Sequence, residues 1–386
     1  MDRRAEGGII MSKSTLYIET TARHLTSALK LAGKVVERRN SIPVLSMVLF
    51  EAGRLFATDL DMEISIALPV TQSRGTAALD YSSLFNLVSH LPKDEIVKIE
   101  VNDQRATVLF ENGKYEIPAL PASDFPRLSI GEWTTISIDG DDLKKGMQFI
   151  QSFISTEETR YYLNGICLDG KNAVATDGHR LGCYPLKSDF EKAKRVIIPR
   201  KVVSIMCGLP APKTFSISDR PAIRFYCDGI TIISKAIDGT FPDWPRVVPA
   251  YEPDAIKSVT FDRETVRRAV GRVASVLGSR EVQHGCFAFA SNKIVLKRNH
   301  SEVSGSECIS AETASELSLG LNLGYLSALL RAIPSSEKIT LLAKDCGSPM
   351  KFMVPGRDEY VVLMPARVDD RVTTAALLEA KAGGLA

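Results

Sequence analysis

One stretch of this 386-residue chain gathers side chains that together could do chemistry: Thr176-Asp177-Gly178-His179-Arg180 sets a hydroxyl, a carboxylate, an imidazole and a guanidinium within five residues. As an active site it would hydrolyse a nucleotide or nucleic acid, with a base placed against a nucleophile and an oxyanion stabiliser. Adjacent residues of a strand-to-turn segment point in different directions, however, and Asp-Gly is turn chemistry. The same hydroxyl and guanidinium are equally able to anchor a bound peptide.

The rest of the chain offers little else to a catalyst. It has no phosphate-binding P-loop, no dinucleotide-binding glycine motif, no His-Glu-x-x-His and no nucleophile elbow. The five histidines, His24, His90, His179, His284 and His300, lack ligand spacing, so neither a metal nor another cofactor is expected. Seven cysteines, Cys167, Cys183, Cys207, Cys227, Cys286, Cys308 and Cys346, are odd in number and never spaced as C-x-x-C. They read as reduced, mostly buried apolar side chains. The expectation is a protein that is not an enzyme.

A formal charge of +2 gives no global signature of nucleic-acid binding, so the placement of charge has to carry that argument. Basic residues stand opposite the apolar stripe on three amphipathic segments: Lys30 and Lys34, then Lys144 and Lys145, then Arg267, Arg268 and Arg272. On one helix such residues are ordinarily a solvated face. Repeated on three, they line a hole if the repeats stand around an axis with these helices inward. Phosphate attraction then acts without base contacts.

The elements that position these residues recur along the chain. Amphipathic helices are predicted over 23–36, 142–154 and 263–277. A second helix in each segment closes on an apolar-proline pair, Leu91-Pro92, Leu209-Pro210 and Ile333-Pro334, spaced by 118 and then 124 residues. Ala57-Thr58-Asp59 recurs as Ala175-Thr176-Asp177, and Asp124-Phe125-Pro126-Arg127 recurs as Asp243-Trp244-Pro245-Arg246. Short β-rich runs fill the remainder, so the fold class is α+β, with a domain of two helices on antiparallel sheets repeated three times. The expected boundaries are 12–135, 136–254 and 255–368, flanked by a disordered extension at 1–11 and a C-terminal extension at 369–386. Met11 is a second possible start, and the alanine-rich tail is either a short loose helix or disordered. No apolar run approaches the ~20 residues of a membrane span, and 1–6 lacks the apolar core of a secretory signal, so a cytoplasmic location is expected.

These residues also carry a family resemblance. Arg160-Tyr161-Tyr162-Leu163-Asn164-Gly165, Ala175-Thr176-Asp177-Gly178-His179-Arg180-Leu181, Ile197-Ile198-Pro199-Arg200-Lys201, Asp238-Gly239-Thr240-Phe241-Pro242-Asp243 and Tyr360-Val361-Val362 resemble the bacterial DNA sliding clamp, the β subunit of the replicative DNA polymerase III holoenzyme. Ala57-Thr58-Asp59-Leu60-Asp61-Met62-Glu63 fits as well, and the likeness covers residues 14 to 368. The resemblance implies three DNA-clamp domains forming a ring as a head-to-tail homodimer around double-stranded DNA. It implies a pocket for partner peptides at Leu163, Thr176, Gly178, His179, Arg180, Leu181, Pro242, Arg246, Val247, Val361, Val362, Met364, Pro365 and Arg367. DNA contacts carried over are Arg39, Tyr161, Tyr162, Arg200 and Lys201, beside the basic helix residues Lys30, Lys34, Lys144, Lys145, Arg268 and Arg272. At the dimer contact Tyr115 and Ile117 should meet Val276 and Leu277 of the other chain. Implied partners are replicative polymerase subunits, the clamp loader and repair proteins bearing short clamp-binding peptides.

Three departures accompany the likeness. The chain continues past Arg367-Val368, the run Val362-Leu363-Met364-Pro365 carries one residue more than the family's common form, and the overall charge is not acidic. They leave open an alternative role as a divergent extra clamp serving repair or an accessory polymerase.

Overall fold

The computed structural model describes residues 15–37, 41–102, 104–193, 195–251, 255–275, 284–299, 304–333 and 337–383. Its helices are α1 (Ala22–Ala32), α2 (Tyr81–Val88), α3 (Gly140–Ile150), α4 (Arg200–Cys207), α5 (Arg263–Ser275), α6 (Leu323–Ala332) and α7 (Asp370–Lys381). The first six pack in consecutive pairs, α1 on α2, α3 on α4 and α5 on α6. Each odd-numbered helix of these pairs buries most of the stripe read in the sequence: Leu25, Ala28, Leu29 and Ala32; Leu143, Met147 and Ile150; Val266, Ala269, Val270 and Val273. Helices α1 and α3 end at Ala32 and Ile150, short of the predicted 36 and 154, so Val36 and Ile154 are buried beyond them, and Leu277 lies outside the described residues. Full burial of one such aliphatic side chain is worth roughly 2 kcal/mol.

Polar residues start the helices. Thr21, Asp80, Asp139 and Asn322 accept hydrogen bonds from amides two or three positions on, contributing about 1 kcal/mol each. Helix α4 follows Pro199 and has no side-chain cap. The even-numbered helices end one to three residues before Leu91-Pro92, Leu209-Pro210 and Ile333-Pro334.

The chain divides into two compact units, residues up to 136 with 212–235, and 137–211 with 236 onward. In the first, one twelve-stranded sheet runs from Leu16–Thr21 to Trp133–Ile136, and within it Met62–Ala67 pairs antiparallel with Ile230–Lys235. In the second, an eight-stranded sheet runs from Val196–Pro199 to Lys257–Asp262, and within it Arg180–Pro185 pairs antiparallel with Tyr360–Leu363. A four-stranded sheet completes that unit in the order Ser304–Ser310, Lys293–Asn299, His284–Ala290, Leu317–Asn322.

The repetition is visible in the hairpins. Glu51 pairs with Arg54, Asp169 with Asn172, and Ala290 with Lys293, each across two turn residues. Left-handed backbone at Ala52 and Gly53, and again at Ser291 and Asn292, gives the twist that lets so tight a turn join two strands. The fold is α+β with antiparallel sheets, as the sequence predicts.

Of the two readings of the tail, a short loose helix or disorder, the structure has the helix, and it is packed, not loose. Residues Asp370–Lys381 form α7, which packs on the four-stranded sheet. Val372, Ala376 and Ala380, four residues apart, lie against Cys286, Ala288, Ala290 and Val295. Small side chains on both surfaces allow a helix and a sheet to approach closely. Polar bonds fix its last turn: Glu379 pairs with Lys297 and accepts from Ser306 Oγ at 2.9 Å, and Lys381 Nζ lies 2.8 Å from Glu316.

Candidate functional site

The chemistry-bearing pentad is a turn whose polar groups are spent on the backbone. Thr176 Oγ1 donates to Arg180 O at 2.9 Å and accepts from Gly178 N at 3.1 Å. Asp177 Oδ1 accepts from the amides of His179 and Arg180, both at 3.0 Å, and Asp177 Oδ2 accepts from Arg180 Nε at 2.8 Å. Gly178 sits at φ +88°, a conformation glycine adopts without cost. The Asp177 carboxylate therefore holds His179 by its amide, while the imidazole stacks on Tyr325 with centroids 5.6 Å apart. Among the described residues the Thr176 hydroxyl donates to a backbone carbonyl and not to a base, which disfavours the hydrolase reading.

Beside this turn opens a cavity of about 250 Å³. Leu163, Leu181, Trp244 and Val362 form its floor and belong to a buried cluster with Cys167, Val174 and Phe241. Val247 and Met364, 47% and 40% exposed, stand at the rim with Pro242, leaving apolar surface for a ligand to cover. Trp244 is locked by its indole N–H, which donates to Asp169 Oδ2 at 2.9 Å; Arg195 Nε holds the same oxygen at 3.1 Å. Arg180 lies with its guanidinium 4.8 Å from the Tyr325 ring centre and 5.4 Å from that of Phe153. Met364 N donates to His179 O at 2.9 Å, tying the last strand to the turn.

Of the fourteen residues implied by resemblance, Leu163, Thr176, Gly178, His179, Arg180, Leu181, Pro242, Val247, Val362 and Met364 line this cavity. Four do not. Leu181 pairs with Val362, and the period of two along a strand turns Val361 to the opposite face. Arg246 is exposed on the 3-10 turn Trp244–Val247, outside the lining. Pro365 and Arg367 fall beyond the groove because the chain leaves it after Met364, Ala366 N donating to Gly320 O at 2.8 Å. Arg160, Asp243 and Trp244 line the cavity without having been implied, and so does Tyr162, expected at DNA. Tyr162 packs on the buried cluster, while Tyr161, 54% exposed, meets it edge-on at 5.9 Å. The Asp-Trp-Pro-Arg recurrence was the available signal for Trp244.

The basic faces differ from helix to helix. Lys30, Lys34 and Lys145 are exposed, whereas Lys144 Nζ donates to Leu209 O at 2.5 Å and is half-buried. On α5 the cations have carboxylate partners: Arg267 and Arg268 hold Glu264 at 2.7 and 2.9 Å, and Arg272 makes a two-pronged bond to Glu307 at 2.7 and 2.5 Å. Hydrogen bonds from Arg267 and Arg268 lower the Glu264 carboxyl to about 2. Arg200 and Lys201 are exposed at the uncapped start of α4, a helix end that favours anions. Arg39, Val276 and Leu277 lie outside the described residues. Tyr115 is 51% exposed and stacked on Phe110 at 5.8 Å, while Ile117 is buried and offers no comparable surface. Residues 113–118 pair with Arg105–Phe110 on one side only, among the described residues.

No helix among the described residues is long and apolar enough to cross a membrane, and none of these residues form a group of three or more His, Cys, Asp or Glu fit to hold a metal ion. The architecture and the groove thus define a clamp-type repeat protein with an apolar groove in the second unit. Comparison with known proteins gives the family. Residues 16–129 match the N-terminal domain, and residues 137–243 the central domain, of the DNA polymerase III beta subunit. A beta sliding clamp of Caulobacter vibrioides is 34% identical over 384 residues, spanning 92% of this chain and all of the relative. One from Pseudomonas putida is 30% identical over 364 residues, spanning 89% of this chain and 98% of the relative. A crystal structure of the Caulobacter crescentus beta sliding clamp, with polyethylene glycol at a region described as tethering the beta motif, superposes with a TM-score of 0.83 at 30% identity, covering 92% of this chain and all of that one. The chain belongs to the bacterial beta sliding clamp family, and the accessory-clamp alternative is not favoured.

Proposed function

We propose that the chain is a DNA sliding clamp, a non-catalytic processivity factor that encircles duplex DNA as a head-to-tail homodimer. In this reading it works in the cytoplasm and tethers polymerase subunits, the clamp loader and repair proteins through short peptides. The observation that carries it is a repeated antiparallel α+β domain with cationic first helices, joined in one chain to an apolar groove. Lys30, Lys34, Lys145, Arg200 and Lys201 would meet phosphates, giving sequence-independent and salt-sensitive attraction, and Tyr161 would stack on an exposed base or sugar. Leu163, Leu181, Val247, Val362 and Met364 would bury leucine or phenylalanine anchors of an extended peptide, whose backbone Arg180 and the turn orient. One or two anchors dominate such binding, so many partners can share the groove.

A contact between unlike surfaces closes only if the rotation per subunit completes a circle, and Tyr115 on its half-free strand is the surface offered here. Retention on DNA tests the proposal. Protein loaded on closed circular DNA should stay through gel filtration and run off once the circle is cut. Equal loss from circle and linear form would rule out topological linkage.

A further inference from the structure

The first unit contains a second copy of the groove, position by position, and there it is shut. Thr58 Oγ1 donates to Met62 O at 2.9 Å and accepts from Leu60 N at 3.1 Å, and Asp59 Oδ1 accepts from Asp61 N and Met62 N at 3.0 and 2.7 Å, repeating the bonds of Thr176 and Asp177. Leu60 takes the place of Gly178 with the same left-handed backbone, φ +73°. Glu63 pairs with Ile233 as Leu181 pairs with Val362, and Lys235 N donates to Asp61 O at 2.8 Å as Met364 N does to His179 O. Phe125 lies in a buried cluster with Phe56 and Leu49, as Trp244 does with Val174 and Cys167.

The difference is charge. Where the open groove has Leu181, the first copy has Glu63, 4% exposed. Its carboxylate accepts from Arg127 Nε at 3.0 Å, Arg127 Nη2 at 3.3 Å and Leu128 N at 3.2 Å. Arg127 also reaches Glu51 at 2.9 Å and lies 4.0 Å over the Phe56 ring, across the face an apolar anchor would need. Arg127 is the counterpart of Arg246, which is exposed and makes no such bridge to Leu181, a side chain that cannot accept one. At the rim, Lys235 and Asp61, 2.9 Å apart, replace Met364 and His179. An entering anchor would have to pull the half-exposed Arg127 guanidinium away and leave the buried Glu63 carboxylate uncompensated.

We infer that Glu63 and Arg127 are specificity determinants that keep the first copy of the groove closed, so that each chain offers partner peptides one site, not two. The inference rests on the groove beside Leu181 being the peptide site. The test is isothermal titration of the full chain with a synthetic pentapeptide carrying leucine and phenylalanine anchors. Wild type should bind one peptide per chain and E63L/K235M two, and adding L181E to that variant should leave one. A folded E63L/K235M that still binds one peptide would overturn the inference. If E63L/K235M does not fold, L181E alone decides. With Arg246 at hand to pair, it should keep its melting temperature and lose peptide affinity at least tenfold, whereas L181E/R246A should also lose melting temperature. L181E that binds as wild type would refute closure by a glutamate at this position. A wild-type chain that takes up no peptide would sink the site assignment itself, and this inference with it.

Discussion

The Asp177 carboxylate is the residue on which the groove's geometry turns. It accepts three bonds within a four-residue span and so fixes where His179 and Arg180 project. Replacing it by alanine leaves two amides and a largely buried guanidinium seeking acceptors, which costs about 1–3 kcal/mol for the unsatisfied groups. D177A should therefore lower both the chemical-denaturation midpoint and peptide affinity. H179A should lower affinity at the groove with the midpoint nearly unchanged, because the hydrogen bonds of the turn use only the backbone of that residue. A midpoint that falls equally in both variants would contradict this division of labour. The turn was legible in the sequence, since Thr-Asp-Gly is local chemistry and its earlier copy, Ala57-Thr58-Asp59, stands in plain view. The ion pairs that shut the first copy were not, because Arg127 and Glu63 are 64 residues apart and meet only once the sheet has formed.

At the scale of elements, apolar periodicity predicted α1, α3 and α5 and their buried stripes, but it could not show how far each basic face is neutralised. The Arg272 partner, Glu307, comes from a strand 35 residues on. Because Glu264 is lowered to about 2, its contribution to folding is fully present above the ordinary carboxylate value of 4.5 and is lost as pH falls through about 2. Across neutral pH it therefore stays charged and masks Arg267 and Arg268. E264Q should uncover them, raising affinity for linear duplex at low salt and steepening the fall of affinity with salt. An unchanged salt slope would remove α5 from the DNA surface. The packing of helix α7 escaped the sequence reading, which left a short loose helix and disorder both open, for a related reason: its alanine stripe is a weak amphipathic signal, and the small residues that receive it, Cys286, Ala288 and Ala290, lie more than 80 positions upstream. A376L should overpack that contact and cost roughly 1–3 kcal/mol. Burial pushes the Cys286 thiol up to about 11, so a chain stopped after Val368 should show faster alkylation of Cys286, read by peptide mass. Peptide affinity should not change in either variant, because no α7 residue lines the groove.

For the whole molecule, charge and topology make different demands on how the protein stays on DNA. The net charge is +2, and the α5 arginines are held by carboxylates, so attraction to phosphate alone is a loose hold. A loose hold suits a protein that must move along DNA, and persistence then has to come from closure. If closure runs through the strand edge at Tyr115, a charge there should open the ring without disturbing the groove, which lies wholly in the other unit. Y115D should shift the solution mass from dimer to monomer and abolish retention on circular DNA, while each chain still titrates one peptide. Raising salt should then separate the two kinds of binding in the wild type. Direct association with linear duplex should weaken steeply as counterions compete, but protein already loaded on a circle should remain until the ring opens. A Y115D chain that stays dimeric and stays on circles would move the closing contact elsewhere. Loss of wild-type retention in parallel with loss of linear binding would mean that phosphate attraction, and not enclosure, is what holds this protein to DNA.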